Sequence, residues 1–118
     1  MNQGKEDCIF CKIAAKQIGK LIYEDEYCAA FDDVNPQAPV HMLVISKKHI
    51  ARIMDLQSKA DEALIGHMVS IANELAKERE IADEGYRLVI NNNEGAGQSV
   101  WHIHIHVLGG RKLAWPPG

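Results

Sequence analysis

The sequence predicts one α+β domain with a mainly antiparallel sheet of about five strands, one long helix and a short N-terminal helix. Two observations carry this prediction. Apolar residues recur at helical spacing in two segments, and the rest of the chain consists of short apolar or alternating runs separated by turn residues. Neither a repeat nor a linker interrupts the 118 residues, so we expect residues 1–118 to form a single domain.

The two helices follow from the apolar spacing. In residues 7–16 the apolar side chains recur every three or four positions, which predicts a short helix with one face on the core. Residues 58–80 carry a longer apolar stripe with charges on the other faces, and this pattern predicts the long helix. Ser58, followed by Asp61 and Glu62, suits the amino end of that helix.

The strands are predicted from short apolar runs bounded by turn residues. Charged residues 24–26 join the first two runs as a hairpin turn, and two prolines make residues 32–39 a loop. Residues 91–97 form a second loop, rich in asparagine and glycine. The predicted strands are residues 21–23, 27–31, 40–45, 87–90 and 101–108.

Composition excludes several classes of function. The chain is 47% hydrophobic and 25% charged, as in an average globular protein, and its formal charge of -3 gives no broad positive field for nucleic acid. No run approaches the ~18 apolar residues of a membrane span, and residues 1–12 lack the apolar core of an export signal. We therefore expect no membrane or nucleic-acid partner and a cytoplasmic location, with the nucleus as a second one if the source is eukaryotic. Three cysteines in this setting indicate thiols or a metal site.

Histidine and apolar residues alternate from Trp101 to Val107, and this is the most informative segment. A strand with period two places His102, His104 and His106 on one face. A solvent-exposed histidine face is one alternative, and a zinc site is another, because histidines at this spacing can chelate zinc. Residues 95–99 favour a phosphate site instead, since small residues and a hydroxyl leave backbone N–H groups free to surround a phosphate.

Residues 97–108 resemble the signature of the histidine triad (HIT) superfamily. Residues 8–13, 35–41, 47–50 and the tail 108–118 resemble its Hint branch, the histidine triad nucleotide-binding proteins, so the resemblance covers nearly the whole chain. It implies a HIT-like fold and a purine nucleoside phosphoramidate hydrolase that cleaves AMP- or GMP-linked P–N bonds. It further implies a homodimer with sheets joined across the interface, in which the tail with Trp115 approaches the partner's site.

The resemblance assigns catalytic roles without a cofactor. It implies that His104 is the nucleophile, forming a covalent nucleotidyl-histidine, and that His106 binds the α-phosphate while Ser99 donates to the phosphate or the leaving group. A neutral imidazole suits the nucleophile near pH 7 once a partner fixes its tautomer. Backbone carbonyl groups or His102 could orient His104. His41 would contact the triad histidines and not the nucleotide, or it would be an ordinary buried histidine.

The nucleotide contacts are implied in the same way. Asp33 would accept the ribose hydroxyls, although alone it would be a turn aspartate, and Asn91 and Gly97 would lie beside the phosphate. The base pocket would be apolar, although these residues would otherwise be assigned to the core: Phe10, Ile9, Ile13, Phe31 and Val34.

Some relatives bind a structural zinc through ligands that match Cys8, Cys11, His49 and His102; the alternative is a pair of reduced thiols. Cys28 is expected in the core, and His67 has no partner by spacing, which predicts a surface or packing residue. Gly19 stands where relatives commonly carry proline, which affects only loop stiffness.

Two other functions remain open. A dinucleoside polyphosphate hydrolase or a nucleotidyltransferase of the same superfamily would use the same nucleophile on a P–O bond. A nucleotide- or zinc-binding scaffold would act through protein contacts without turnover.

Overall fold

A computed structural model describes residues 7–118. Two helices and five strands lie within this range, with short 3-10 turns at Ile53–Asp55 and Glu94–Ala96. In chain order the elements are α1 Ile9–Ala14, β1 Tyr23–Glu24, β2 Cys28–Asp32, β3 Val40–Ser46, α2 Lys59–Glu78, β4 Tyr86–Val89 and β5 His104–Gly109. No helix in this described range has the length and apolar character needed to cross a membrane.

The strands form one antiparallel sheet in the order β1-β2-β3-β5-β4, which confirms the predicted α+β class with five strands. The histidine strand β5 lies inside the sheet, between β3 and β4. Its His104 pairs with Ile45, and His106 pairs with both Leu43 and Val89. The two histidines are therefore held by ladder bonds on a rigid element.

The sheet has two different faces because side chains alternate along every strand. One face packs on α2 and forms the larger core, which includes Met42, Val44, Ile105 and Val107. The other face packs on α1 and carries Phe31, Leu43 and Ile45 with Phe10 and Ile13 of the helix. Ile105 and Val107 of β5 thus face α2, and its histidines face the α1 side.

Helix α2 begins where the sequence predicts. Ser58 Oγ accepts a hydrogen bond from the Asp61 N–H at 3.1 Å, which satisfies one of the free donors of the first turn. The apolar stripe of the helix is buried at Met68, Ile71 and Leu75. The short helix and the strands are also present, with ends shifted by one to three residues.

The predicted start of the last strand is wrong. Strand β5 begins at His104 and not at residue 101, because the Ile103 N–H donates to the Ile50 carbonyl at 2.8 Å instead of joining the ladder. Ile103 is still buried on the α2 side and His102 on the other. The alternation therefore extends beyond the strand that it predicts.

His67 has a partner that helical spacing could not show. Its Nε2 lies 2.6 Å from Asp25 Oδ2, so it links α2 to the turn between β1 and β2. Asp25 also accepts from the Tyr23 hydroxyl and from the N–H groups of Tyr27 and Cys28. Cys28 is fully buried in the core, as predicted.

Candidate active site

A cavity of about 520 Å³ opens on the α1 side of the sheet. It lies between α1, the ends of β2 and β3, and the loop that precedes β5. Every residue predicted to contact a nucleotide lines it: Ile9, Phe10, Ile13, Phe31, Asp33, Val34, Asn91, Gly97, Ser99, His104 and His106. The volume lies in the range of about 300–1,000 Å³ that small-molecule sites occupy. The functional roles given to these residues stay predictions.

His104 is oriented by the backbone of its own strand. Its Nδ1 lies 2.7 Å from the His102 carbonyl oxygen, and because that oxygen can only accept, Nδ1 carries the proton. Burial lowers the pKa of His104, against the opposing effect of this hydrogen bond. The imidazole is therefore neutral near pH 7 with the lone pair on Nε2. The Phe10 ring packs edge-on against it, with centroids 5.0 Å apart.

A hydrogen-bond chain fixes the tautomer of His106. The Gln37 N–H donates to His41 Nδ1 at 3.0 Å, so the proton of the neutral His41 ring is on Nε2. That Nε2 lies 2.9 Å from His106 Nδ1, which must accept, and His106 therefore carries its proton on Nε2. Burial, with smaller effects from His104 and His41, lowers the pKa of His106 to about 4. His106 is thus a neutral ring with one N–H donor left for a ligand.

Asp33 lies beside this chain with spare acceptor capacity. Its Oδ1 accepts from the Asn35 N–H at 2.9 Å, which is an Asx turn, and Oδ2 lies 3.3 Å from His41 Nε2. Its side chain is 18% exposed and lines the cavity. A carboxylate so placed can accept further hydrogen bonds from hydroxyl groups.

The loop before β5 is folded tightly around Gln98. Gly97 has φ of +97°, which favours glycine, and Ser99 is exposed at the cavity. Between them, the Gln98 side chain is 5% exposed and points away from the solvent into three hydrogen bonds. Gln98 does not line the cavity, although both of its neighbours do.

His102 does not share the cavity with the other two histidines. It is fully buried, and its Nε2 lies 2.6 Å from the Ser46 carbonyl, so Nε2 is the donor and Nδ1 has the lone pair. Burial, followed by the neighbouring His49 and His104, lowers its pKa to about 4 against the effect of the Ser46 bond. His102 therefore lies on the same side of the sheet as His104 and His106, as the alternation predicts, but it does not line the cavity.

The His102 lone pair faces the two predicted thiol ligands. Nδ1 lies 3.3 Å from Cys8 Sγ and 3.4 Å from Cys11 Sγ, and His49 Nδ1 lies 3.1 Å from Cys11 Sγ. All four potential ligand atoms lie within 4.8 Å of one another. A tetrahedral zinc with Zn–S and Zn–N bonds of about 2.3 and 2.0 Å separates its ligand atoms by roughly 3.5 Å. The donor set, the distances and the His102 tautomer therefore fit a structural metal ion.

Sequence reasoning missed several residues around the cavity. Gln98 and the Gln37 N–H act only through hydrogen bonds that the fold creates, and no spacing rule identifies them. Gln98 offered one signal, since it stands between two residues assigned to the phosphate site. The other cavity residues that were not predicted are Gly19, Lys20, Asp32, Asn35, Leu43 and Val100.

An antiparallel sheet that carries two neutral, oriented histidines beside a cavity defines the protein as a small α+β domain with a histidine-lined pocket. Residues 15–113 match the model of the HIT domain, and the chain therefore belongs to the HIT domain family. The finer placement in the Hint branch stays a prediction.

Relatives of the same length share this fold. An uncharacterised HIT-like protein of Synechocystis is 49% identical over 96% of this chain and 98% of its own length. The crystal structure of a HIT family hydrolase from Legionella pneumophila superposes with a TM-score of 0.90 at 48% identity, covering 95% of this chain and 100% of that one. A histidine triad protein from Clostridium difficile has a TM-score of 0.87 at 40% identity, with coverage of 92% and 94%. These likenesses confirm the HIT fold.

Proposed function

We propose that this protein is a purine nucleoside phosphoramidate hydrolase of the Hint type. The observation that carries the proposal is the His104 Nδ1 contact of 2.7 Å with the His102 carbonyl, which leaves Nε2 of a neutral imidazole as a nucleophile at the cavity. The Legionella relative is described as a hydrolase, which supports the reaction class.

Nucleotide binding follows the polarity of the cavity. Ile9, Phe10 and Ile13 of α1 offer an apolar slot for a purine, and Asp33 accepts the ribose hydroxyl groups. The phosphate then lies between His104 and the loop that contains Gly97 and Ser99.

The reaction is a double displacement at phosphorus. His104 Nε2 forms a bond to phosphorus as the P–N bond breaks; the leaving nitrogen keeps the bonding electron pair, takes a proton from solvent water and departs as the neutral amine, and the later attack of water on the nucleotidyl-histidine returns a proton to the solvent. The His106 Nε2–H and the Ser99 hydroxyl donate hydrogen bonds to the phosphoryl oxygens as charge develops there. Water then cleaves the nucleotidyl-histidine, which releases the nucleoside monophosphate and restores neutral His104.

The test compares His104→Ala with the unmodified chain, using adenosine 5′-phosphoramidate as substrate. We expect turnover to fall by at least about a thousandfold, because the nucleophile is lost, while AMP binding is retained. His67→Ala is the matched control, since His67 lies on α2, does not line the cavity, and contacts Asp25 and the Tyr27 ring. Mass spectrometry after rapid quenching should show the nucleotidyl adduct on His104.

Three results would contradict the proposal. Faster cleavage of diadenosine polyphosphate than of the phosphoramidate would favour a P–O bond hydrolase or a nucleotidyltransferase. No turnover of either substrate by the unmodified chain would favour a binding scaffold. An adduct on a residue other than His104 would reject the assigned nucleophile.

We further propose that zinc occupies the cluster of Cys8, Cys11, His49 and His102. The His102 Nδ1 lone pair supports this, because its tautomer is fixed by Ser46 and directed at the two sulfur atoms. Zinc there would join α1 to the end of β3 and to the segment before β5, without taking part in catalysis. Metal analysis of the purified protein should give about one zinc per chain, and Cys8→Ser with Cys11→Ser should give none.

A further inference from the structure

The loop between β4 and β5 brings backbone and hydroxyl groups to the cavity, but residues that do not line the cavity fix its conformation. Asn93 and Gln98 close it through two reciprocal bonds. The Asn93 N–H donates to Gln98 Oε1 at 2.8 Å, and the Gln98 N–H donates to the Asn93 carbonyl at 3.1 Å. Asn93 has φ of +73°, a left-handed conformation that costs free energy in a residue other than glycine.

Gln98 also fastens this loop to the body of the protein. Its amide Nε2 donates to the Ala51 carbonyl at 2.8 Å and to the Val100 carbonyl at 3.0 Å. Both amide hydrogens and the amide oxygen are therefore used, and the side chain is buried. Arg52, next to Ala51, adds a contact from its guanidinium to Asn93 Oδ1 at 3.2 Å.

From this geometry we infer that Gln98 is a positioning residue, which holds the Gly97–Ser99 segment where it can donate to the phosphoryl group in the transition state. The inference rests on the proposed function and adds to it a residue that never touches the substrate. Donors act in catalysis only if they are preorganised at the point where charge develops. The proposed base and ribose contacts come from α1 and the β2–β3 loop, whereas the side-chain hydrogen bonds of Gln98 go to Asn93, Ala51 and Val100.

This separation predicts a particular kinetic result. Gln98→Met preserves the length of the side chain and removes all three side-chain hydrogen bonds. We expect kcat for adenosine 5′-phosphoramidate to fall 10- to 100-fold, while KM and the Kd of AMP change less than threefold. The affinity for adenosine with orthovanadate, which mimics the pentacoordinate transition state, should fall in parallel with kcat.

A second variant separates positioning from general destabilisation. Gln98→Glu keeps the acceptor for the Asn93 N–H but turns a carboxylate toward the Ala51 and Val100 carbonyl oxygens. Protonation of the new carboxyl restores one donor, so kcat relative to the unmodified chain should recover as the pH falls toward 5. Ile71→Val, a core change on the α2 face, is the stability control, and Gln57→Met, at an exposed glutamine, is the side-chain control.

A fall in kcat no larger than the unfolded fraction measured by circular dichroism would overturn the inference, as would a kcat within twofold of the unmodified value. Amide hydrogen exchange in residues 94–99 gives a readout that does not need turnover. It should be at least tenfold faster in Gln98→Met than in Ile71→Val, and unchanged exchange would overturn the inference on its own. If the unmodified chain cleaves no substrate, the proposed function fails while this exchange comparison still decides the role of Gln98.

Discussion

At the residue scale, the chemistry depends on which nitrogen of each imidazole holds the proton. Three different partners decide this: the His102 carbonyl for His104, the Gln37 N–H through His41 for His106, and the Ser46 carbonyl for His102. Each partner is fixed as a donor or an acceptor by its own chemistry. The three rings therefore differ in which nitrogen can donate and which can accept, although they share one motif.

His41 tests the importance of a tautomer. His41→Phe fills the same buried space but removes the donor to His106 Nδ1, so His106 can carry its proton on the wrong nitrogen. We expect kcat to fall roughly 100-fold with little change in AMP affinity. His41→Gln is the matched variant, because its amide can still donate to His106, and it should recover at least a third of the unmodified kcat. Equal losses in both variants would show that His41 acts by packing alone.

The lowered pKa of His106 predicts how stability depends on pH. Burial, then His104 and His41, holds the folded pKa at about 4, against about 6.5 in the unfolded chain; the remaining charge that faces the ring is Asp33, which opposes the shift. Between these values the unfolded chain binds the extra proton, so the free energy of unfolding should decrease as the pH falls from about 6.5 to 4. The shift corresponds to at most about 3 kcal/mol. Urea unfolding across this range should show a shallower pH dependence for His106→Asn, and an unchanged dependence would contradict the assignment.

The sequence alone identifies these residues only in part. Alternation along the strand and the resemblance together name His104, His106, Asp33 and the apolar wall of the cavity, because each of them belongs to a contiguous motif. Gln98 was missed because its amide bonds Ala51, which is 47 residues away, and the Gln37 N–H was missed because its bond to His41 matters only once His41 has met His106, which is 65 residues away. Separation along the chain, and not residue type, limited the prediction.

At the element scale, two glycines should respond to alanine in opposite directions. A Cβ on Gly109, at the end of β5, would lie 2.7 Å from Ile81 Cδ1 and 3.0 Å from Ile81 Cβ, so the strand and the segment after α2 would have to separate. We expect Gly109→Ala to lower the free energy of unfolding by about 1–3 kcal/mol. A Cβ on Gly66 of α2 meets nothing within 4 Å, and Gly66→Ala should raise it by about 0.5–1 kcal/mol. Thermal or urea unfolding measures both, and the same sign in both variants would contradict this account.

Helix α1 begins at the cluster of Cys8, Cys11, His49 and His102, the candidate metal ligands. It has six residues, and Cys8 caps it by accepting the Cys11 N–H at 3.4 Å, so the two thiols sit at its start. A helix this short depends on tertiary contacts. If zinc joins these thiols to His49 and His102, its removal should loosen the apolar wall formed by Ile9, Phe10 and Ile13.

We therefore expect chelation of zinc to lower both the thermal midpoint and the affinity for AMP. The loss of affinity should be about tenfold, and it should be reversed when zinc is restored, as isothermal titration can show. Cys28→Ser is the control, since that thiol lies in the other core and outside the cluster of Cys8, Cys11, His49 and His102. A protein that holds no zinc when purified, and gains no stability from added zinc, would reject the metal site.

The elements were easier to predict than their ends. Both helices and all five strands are predicted by the spacing of apolar residues, because that spacing shows which face of each element is buried. The start of β5 cannot be predicted from periodicity. Residues 102 and 103 are still buried, but the Ile103 N–H bonds the Ile50 carbonyl and not a neighbouring strand. Periodicity reports which side chains are buried, whereas a strand is defined by its backbone partners.

At the scale of the whole molecule, the two faces of the sheet have different parts: one carries the larger core, and the other carries the candidate site. The α2 face is covered by a long helix and holds the larger core, whereas the α1 face is covered by six residues and leaves the cavity open. The two edges of the sheet differ as well. Strand β1 has only two residues and its Glu24 bonds Lys16 and Lys47, which protects that edge from pairing.

The opposite edge, β4, predicts a homodimer. The chain folds its own tail beside this edge: Arg87 donates to the Ala114 carbonyl at 2.9 Å, and its guanidinium lies 6.0 Å from the centre of the Trp115 ring. Trp115 is 80% exposed and Ile90, directly after β4, is 37% exposed, and β4 is an edge strand with unpaired backbone groups. We therefore expect a second copy of the chain to pair with this edge by two-fold symmetry and to cover these two side chains.

Analytical ultracentrifugation should accordingly give twice the mass of one chain for the unmodified protein. Ile90→Glu should shift it toward the monomer, because a carboxylate would be buried at the interface, and removal of residues 115–118 should weaken the dimer in the same direction. Ile18→Glu is the matched control, since Ile18 is 42% exposed and lies in the loop after α1, and it should leave the mass unchanged. A monomeric unmodified protein at micromolar concentration would contradict the predicted dimer. A dimer that Ile18→Glu dissociates and Ile90→Glu does not would place the interface elsewhere. In either case the tail would have no partner site to approach.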